Sequence, residues 1–156
     1  MTDFWEGISL EQIKTDNDRK KSYLRQYQRT VRRLARIEEE LAEVRAIRSG
    51  VPKDASGIRG SGGLNDLSSY AAELDRLEQA LIRERYKRIQ LYTDITERIR
   101  ALDSQSEQDV LFYRYLKGMS WWEIAEKMHF SERQVFRIHG KALFHVEIPK
   151  DVSKCQ

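Results

Sequence analysis

The chain has 156 residues, 34% of them charged, with a mean hydropathy of −0.71 and a net charge of +3. Two prolines, eight glycines and scattered Val and Ile suit long exposed helices rather than strands. The single cysteine, Cys155, excludes an internal disulfide and a thiolate zinc site. The acidic start, Met1–Glu6, lacks the order of a signal peptide, and no apolar run approaches the ~18 residues that span a bilayer. The expected product is a soluble, cytoplasmic, all-α protein.

Charge is unevenly distributed. Residues 1–18 carry one base and five acids, whereas residues 19–37 carry eight bases and no acid, and Glu38, Glu39, Glu40 and Glu43 follow. A solvated helix face explains such a run. The alternative is a phosphate-contacting or acidic-partner surface built from Arg25, Arg29, Arg32, Arg33 and Arg36.

Along the chain, Ser9 and Gln12 have capping-box spacing in a short amphipathic segment, residues 1–15. Asp16, Asn17 and Asp18 then offer N-caps for a long helix whose apolar stripe runs through Leu24, Tyr27, Val31, Leu34, Ile37, Leu41 and Val44. Residues 49–63 hold five of the eight glycines and read as a flexible loop. Its Gly-Ile-Arg-Gly-Ser-Gly-Gly string lacks both the Gly-Lys-Ser/Thr ending and the preceding strand of a nucleotide-binding loop. A second long helix is expected over about 64–102, with Leu67, Tyr70, Leu74, Leu77, Leu81, Leu91, Ile95 and Leu102 in near-heptad register. Ile82, Tyr86, Ile89 and Ile99 lie off that seam. Two such helices joined by one loop predict an antiparallel, coiled-coil-like hairpin over residues 16–103. Its apolar face is narrow enough to need further packing, against the C-terminal part, a second copy or another partner.

Residues 104–148 read as a compact helical unit, with 149–156 as a tail. A helix over about 107–116 is expected to bury Val110, Leu111 and Tyr115, with Gly118 left-handed just past its end. Ser120 with Glu123, and Ser131 with Gln134, form two capping boxes eleven residues apart. They define two short helices joined by a tight turn at His129-Phe130, with small Ala125 at the crossing: a helix-turn-helix. At ~100° per residue, Val135, Ile138, His139 and Ala142 form the inner face of the last helix, about 132–144. Arg133, Arg137 and Lys141 then point outward, with Gln134 at the rim. Arginine pairs bidentately with guanine edges, both Arg and Lys contact phosphate, and Gln pairs with adenine. Ser131, and Trp122 at the start of the preceding helix, complete the candidate DNA-binding set.

The skeleton of residues 106–143 is an acid before Val110-Leu111, then Arg114-Tyr115, Gly118-x-Ser120, Glu123-Ile124-Ala125, Ser131 with Val135, and Lys141-Ala142-Leu143. It resembles region four of bacterial sigma factors. It is still more similar to the small sigma-like proteins of phages of Gram-positive bacteria, the ArpU- and RinA-type late transcriptional regulators. His129 stands where such turns usually carry glycine. The resemblance covers about 40 residues and implies a sequence-specific regulator of phage transcription, with double-stranded DNA and host RNA polymerase as partners. The helix-turn-helix carries eight bases against seven acids from Ser104 onward, so a homodimer or the basic helix is expected to supply further positive charge.

No nucleophile, base and orienting group can be assembled, so no enzyme and no cofactor are expected, and the three histidines have no ligand-spaced companions for a metal. Two alternatives stand beside a regulator: a non-enzymatic structural protein that uses both helical parts for assembly, and a small-terminase-like DNA-packaging subunit.

Overall fold

A computed structural model describes residues 9–49 and 62–150, and every regular element among them is helical. Helix α1 spans Leu10–Leu24, α2 Gln26–Ser49, α3 Gly62–Arg100, α4 Gln105–Leu111, α5 Trp121–Met128 and α6 Glu132–His145. The glycine-rich segment 50–61, the first eight residues and the tail from 151 lie outside the described residues.

The start of α1 corrects one expectation. Ser9 forms the capping box, accepting from the Gln12 backbone N–H (3.2 Å) while Gln12 Oε1 accepts from the Ser9 N–H (3.0 Å). The helix then runs straight through Asp16, Asn17 and Asp18, the residues expected to cap a new one. Once nucleated, a helix extends by one hydrogen bond per residue. Here the acids also gain partners one turn on: Asp16 pairs with Arg19 (2.9 Å) and Lys20 (3.1 Å), and Asp18 with Lys21 (3.5 Å). Only Arg25 separates α1 from α2, so the two join into one long bent helix.

The chain divides into two compact units. Residues 29–89 form one of them, from most of α2 and most of α3. Leu34, Leu41 and Leu77 are buried along the predicted stripes, and Val31, Ile37, Val44, Leu74 and Leu81 are half-buried. Three cross-helix ion pairs set an antiparallel hairpin: Arg33–Glu84 (3.0 Å), Glu38–Arg85 (2.9 Å) and Arg45–Glu78 (3.1 Å).

The other unit joins α1 and the end of α3 to everything after residue 100. Its helix-turn-helix core is Val110, Ile124, Ala125 and Val135, flanked by Tyr113, Met119, Trp121, Met128, Phe130 and Ile138. α4 was expected as one regular helix but widens into a π-helical turn over Phe112–Leu116, where the Lys117 N–H reaches the Phe112 carbonyl (3.1 Å). The wider turn rotates Tyr115 and Leu116 back toward the face of Val110 and Leu111, and all four are buried. Gly118 ends the element at φ +70°, with the Gln28 amide within 3.2 Å of where a β-carbon would stand. That amide donates to the Leu116 carbonyl (2.8 Å), so the tight approach and the helix end share one residue.

Candidate nucleic-acid interface

Both expected capping boxes close. Ser120 Oγ accepts from the Glu123 N–H (3.3 Å) and Glu123 accepts from the Ser120 N–H (2.7 Å), which holds the Glu123 carboxyl below the usual carboxylate range. Ser131 Oγ accepts from the Gln134 N–H (3.3 Å) and Gln134 Oε1 from the Ser131 N–H (2.8 Å). Between them His129 takes the left-handed conformation, φ 56° and ψ 39°, which histidine tolerates better than most residues. The Phe130 N–H then returns to the Ala125 carbonyl (2.9 Å), closing the turn over the small residue.

α6 divides along the predicted angles. Val135, His139, Ala142 and Leu143 are buried and Ile138 is half-buried, while Arg133, Arg137, Gly140 and Lys141 are exposed. Among the described residues none of Arg133, Arg137 and Lys141 takes part in an ion pair, so three uncompensated cations share the outward face. Nothing lies within 4 Å of a β-carbon built on Gly140, leaving the backbone there open to approach.

The remaining predicted residues are placed less uniformly. Gln134 Oε1 is held by the Ser131 N–H and also accepts from Ser131 Oγ (3.0 Å), so its bidentate use on a base would cost the cap. Ser131 is likewise an N-cap before it is a ligand group. Trp122 is 62% exposed at the start of α5. Phe136, also half-exposed, rests its ring on Trp121, with centroids 4.9 Å apart.

The basic run is divided between the two units. Arg29, Arg32, Arg33 and Arg36 belong to the hairpin unit, where Arg33 pairs with Glu84 and Arg36 with Glu40 (3.3 Å). Arg25 belongs to the helix-turn-helix unit, on the inner side of α6. With Lys21 and Arg114 it adds to burial in lowering the pKa of His139 from 6.5 to about 4. Its Nε2 shares a hydrogen bond with the Tyr115 hydroxyl (3.0 Å), whose own pKa is raised by burial.

Lys20, one of the eight bases of residues 19–37, has a role that sequence reasoning missed. It is 9% exposed, and its Nζ donates to the carbonyls of Leu143 (2.9 Å) and Phe144 (3.2 Å) at the C-terminus of α6. A cation there meets both the orphan carbonyls and the negative end of the helix dipole. Arg98 extends the tie by donating to the Glu147 carbonyl (3.1 Å). A signal for Lys20 existed: it stands four residues before Leu24 and seven before Tyr27, on the buried stripe.

The unit is all-helical, and it carries α6, whose outward face bears Arg133, Arg137 and Lys141, on a turn capped at both sides. Comparison with family models, curated proteins and solved structures finds no match to the chain. Among the described residues, no helix is long and apolar enough to cross a membrane and no group of His, Cys, Asp and Glu is placed to hold a metal.

Proposed function

We propose that the chain is a sequence-specific DNA-binding regulator of phage or prophage transcription, acting in the cytoplasm of a bacterial host with α6 in the major groove. The observation that carries this reading is the outward face of α6, where Arg133, Arg137 and Lys141 stand exposed and free of ion pairs among the described residues. Arg133 and Arg137 are one turn apart, within reach of neighbouring base edges, and Lys141 follows one turn later toward phosphate. Host RNA polymerase enters as a partner by analogy with sigma region four alone.

Three cations per copy give a modest electrostatic footprint. With Lys141 alone directed at phosphate, a fall in log affinity with log salt of about −1 per copy is expected, and twice that for a dimer. The test is selection of bound fragments from a randomised DNA pool, followed by titration of the selected site. Arg137→Ala is expected to weaken binding to that site by about 1–3 kcal/mol and relax preference at one position. If no fragment is retained at modest salt, the reading fails.

A structural assembly role is the competing reading, favoured by three exposed apolar residues on the hairpin, Ile82, Tyr86 and Ile89. It gains if the outward face of α6 is buried in an oligomer formed without DNA. A ring-shaped assembly would point instead to a small-terminase-like packaging subunit.

A further inference from the structure

One residue of α6 weakens the helix for no reason inside the fold. Gly140 lies within α6, where glycine is less favourable than alanine because it orders more backbone and packs nothing. Its φ is not left-handed, a conformation that Gly118 alone adopts among the described glycines. Nothing lies within 4 Å of a β-carbon built on it, so internal packing does not require a glycine either. A close approach from outside the chain does. The side it leaves bare is the outward one, with Phe136 and Arg137 one turn before it and Arg133 two turns before.

Phe136 is the side chain that this glycine uncovers. Helical side chains lean toward the N-terminus, so any side chain at position 140 would lie over Phe136, one turn back. The Phe136 ring is held from within the fold by Trp121 (centroids 4.9 Å apart). Trp121 is itself fixed by an edge contact with His139 (4.7 Å) and by the Arg114 guanidinium over its ring (4.4 Å). Yet 48% of Phe136 remains exposed. It stands among cations: Arg133 is three residues before it and Arg137 next to it, and neither has an ion pair among the described residues. A positioned apolar ring is thus offered to solvent on the same face as uncompensated positive charge.

We propose that Phe136 reads the 5-methyl group of a thymine in the major groove, and that Gly140 lets the base edge come within contact. This rests on the reading of α6 as a DNA-recognition helix. The unpaired cations around the ring match the negative potential of duplex DNA. Among the groups that base pairs present in the major groove, only the thymine methyl is apolar. Against the amino or carbonyl groups of the other bases, the ring would strip water without replacing its hydrogen bonds. Phe136 therefore selects thymine by contact and rejects the alternatives by desolvation. The position of the thymine is also fixed. Residues three apart on a helix have β-carbons about 5–6 Å apart, and successive base pairs rise about 3.4 Å. The thymine then lies one or two base pairs from the base that Arg133 contacts.

The test is an anisotropy titration of the full chain on a duplex selected from a randomised pool, with each thymine replaced in turn by deoxyuridine, which lacks only the methyl. One thymine per bound copy is expected to lose about fourfold in affinity on replacement, the worth of one buried methyl. It should lie one or two base pairs from the position whose preference relaxes in Arg133→Ala. Phe136→Ala is expected to bind the thymine and uracil duplexes equally. Gly140→Leu is expected to raise the thermal midpoint by about 2–4 °C, since the helix gains and nothing is displaced. The same variant should bind the selected site at least about tenfold more weakly, because its side chain covers the Phe136 ring. A chain that retains no duplex overturns this proposal together with the reading of α6. If the site is retained and Arg137→Ala relaxes its preference, but uracil is tolerated at every thymine, the thymine contact alone is overturned. A uracil penalty that survives in Phe136→Ala overturns it too, as does a Gly140→Leu chain that binds as wild type or melts lower.

Discussion

Acidification should destabilise the helix-turn-helix unit through His139, and the size of the effect follows from its surroundings. The imidazole is 7% exposed, and burial first, then Lys21, Arg114 and Arg25, lowers its pKa from 6.5 to about 4. In the unfolded chain the ring takes a proton near pH 6.5; in the folded unit it does so only near pH 4. Between those values the unfolded state binds more protons, so stability present above 6.5 is lost as pH falls and the loss ends near 4. The full window corresponds to about 3 kcal/mol, and the first unit below 6.5 to about 1 kcal/mol. Protonation would also make Nε2 a donor, so the Tyr115 hydroxyl would have to accept from it. The assay is urea unfolding at several pH values from about 7.5 to about 4.5, comparing wild type with His139→Gln, which takes up no proton. Other titrating groups are common to both chains, so the difference in slope isolates this ring. Equal slopes, or a folded-state imidazole titrating at or above pH 6 by NMR, would refute the reasoning.

Two further perturbations probe how α6 is held. Lys20→Met keeps the aliphatic stem but removes the cation from the last carbonyls of α6; a loss of about 2 kcal/mol in chemical denaturation is expected, and a change within error would show that water replaces the ammonium. His129→Gly should do the opposite, raising stability by about 1 kcal/mol, because glycine adopts φ 56° without the β-carbon penalty; a lower thermal midpoint would mean that the His129 side chain contributes contacts not evident from its exposed position.

Local chemistry was the most legible part of this sequence. The boxes at Ser9, Ser120 and Ser131 were readable because cap and partner lie three residues apart and nothing distant is needed to form them. The faces of α6 were readable because its inner residues obey one period. The π-helical turn at Phe112–Leu116 was not, since its cause is the joint burial of Tyr115 and Leu116 against elements far away in the chain. Nor was the continuity of α1: Asp16 and Asp18 have cap chemistry, but propagation from the Ser9 cap, helped by their ion pairs to Arg19, Lys20 and Lys21, keeps them inside the helix. The exposure of Trp122 has a simpler reason. Trp121, its neighbour, already takes the inward position, lying against Phe136, His139 and the Arg114 guanidinium.

The basic run shows how one sequence feature separates into several physical tasks. Read along the chain, residues 19–37 form a single block of eight bases and invite a single partner. In the folded unit Lys20 has left that block, capping α6 from within. Lys21 and Arg25 place positive charge beside the inner face of α6, where it helps keep His139 neutral. From Arg29 onward the run divides again: Arg33 pairs with Glu84 and Arg36 with Glu40, Arg29 and Arg32 have no ion pair among the described residues, and an acidic segment, Glu38 to Glu43, follows on the same helix. A basic segment meant only for phosphate gains nothing from such a neighbour, because the acidic end would repel the nucleic acid that the basic end attracts.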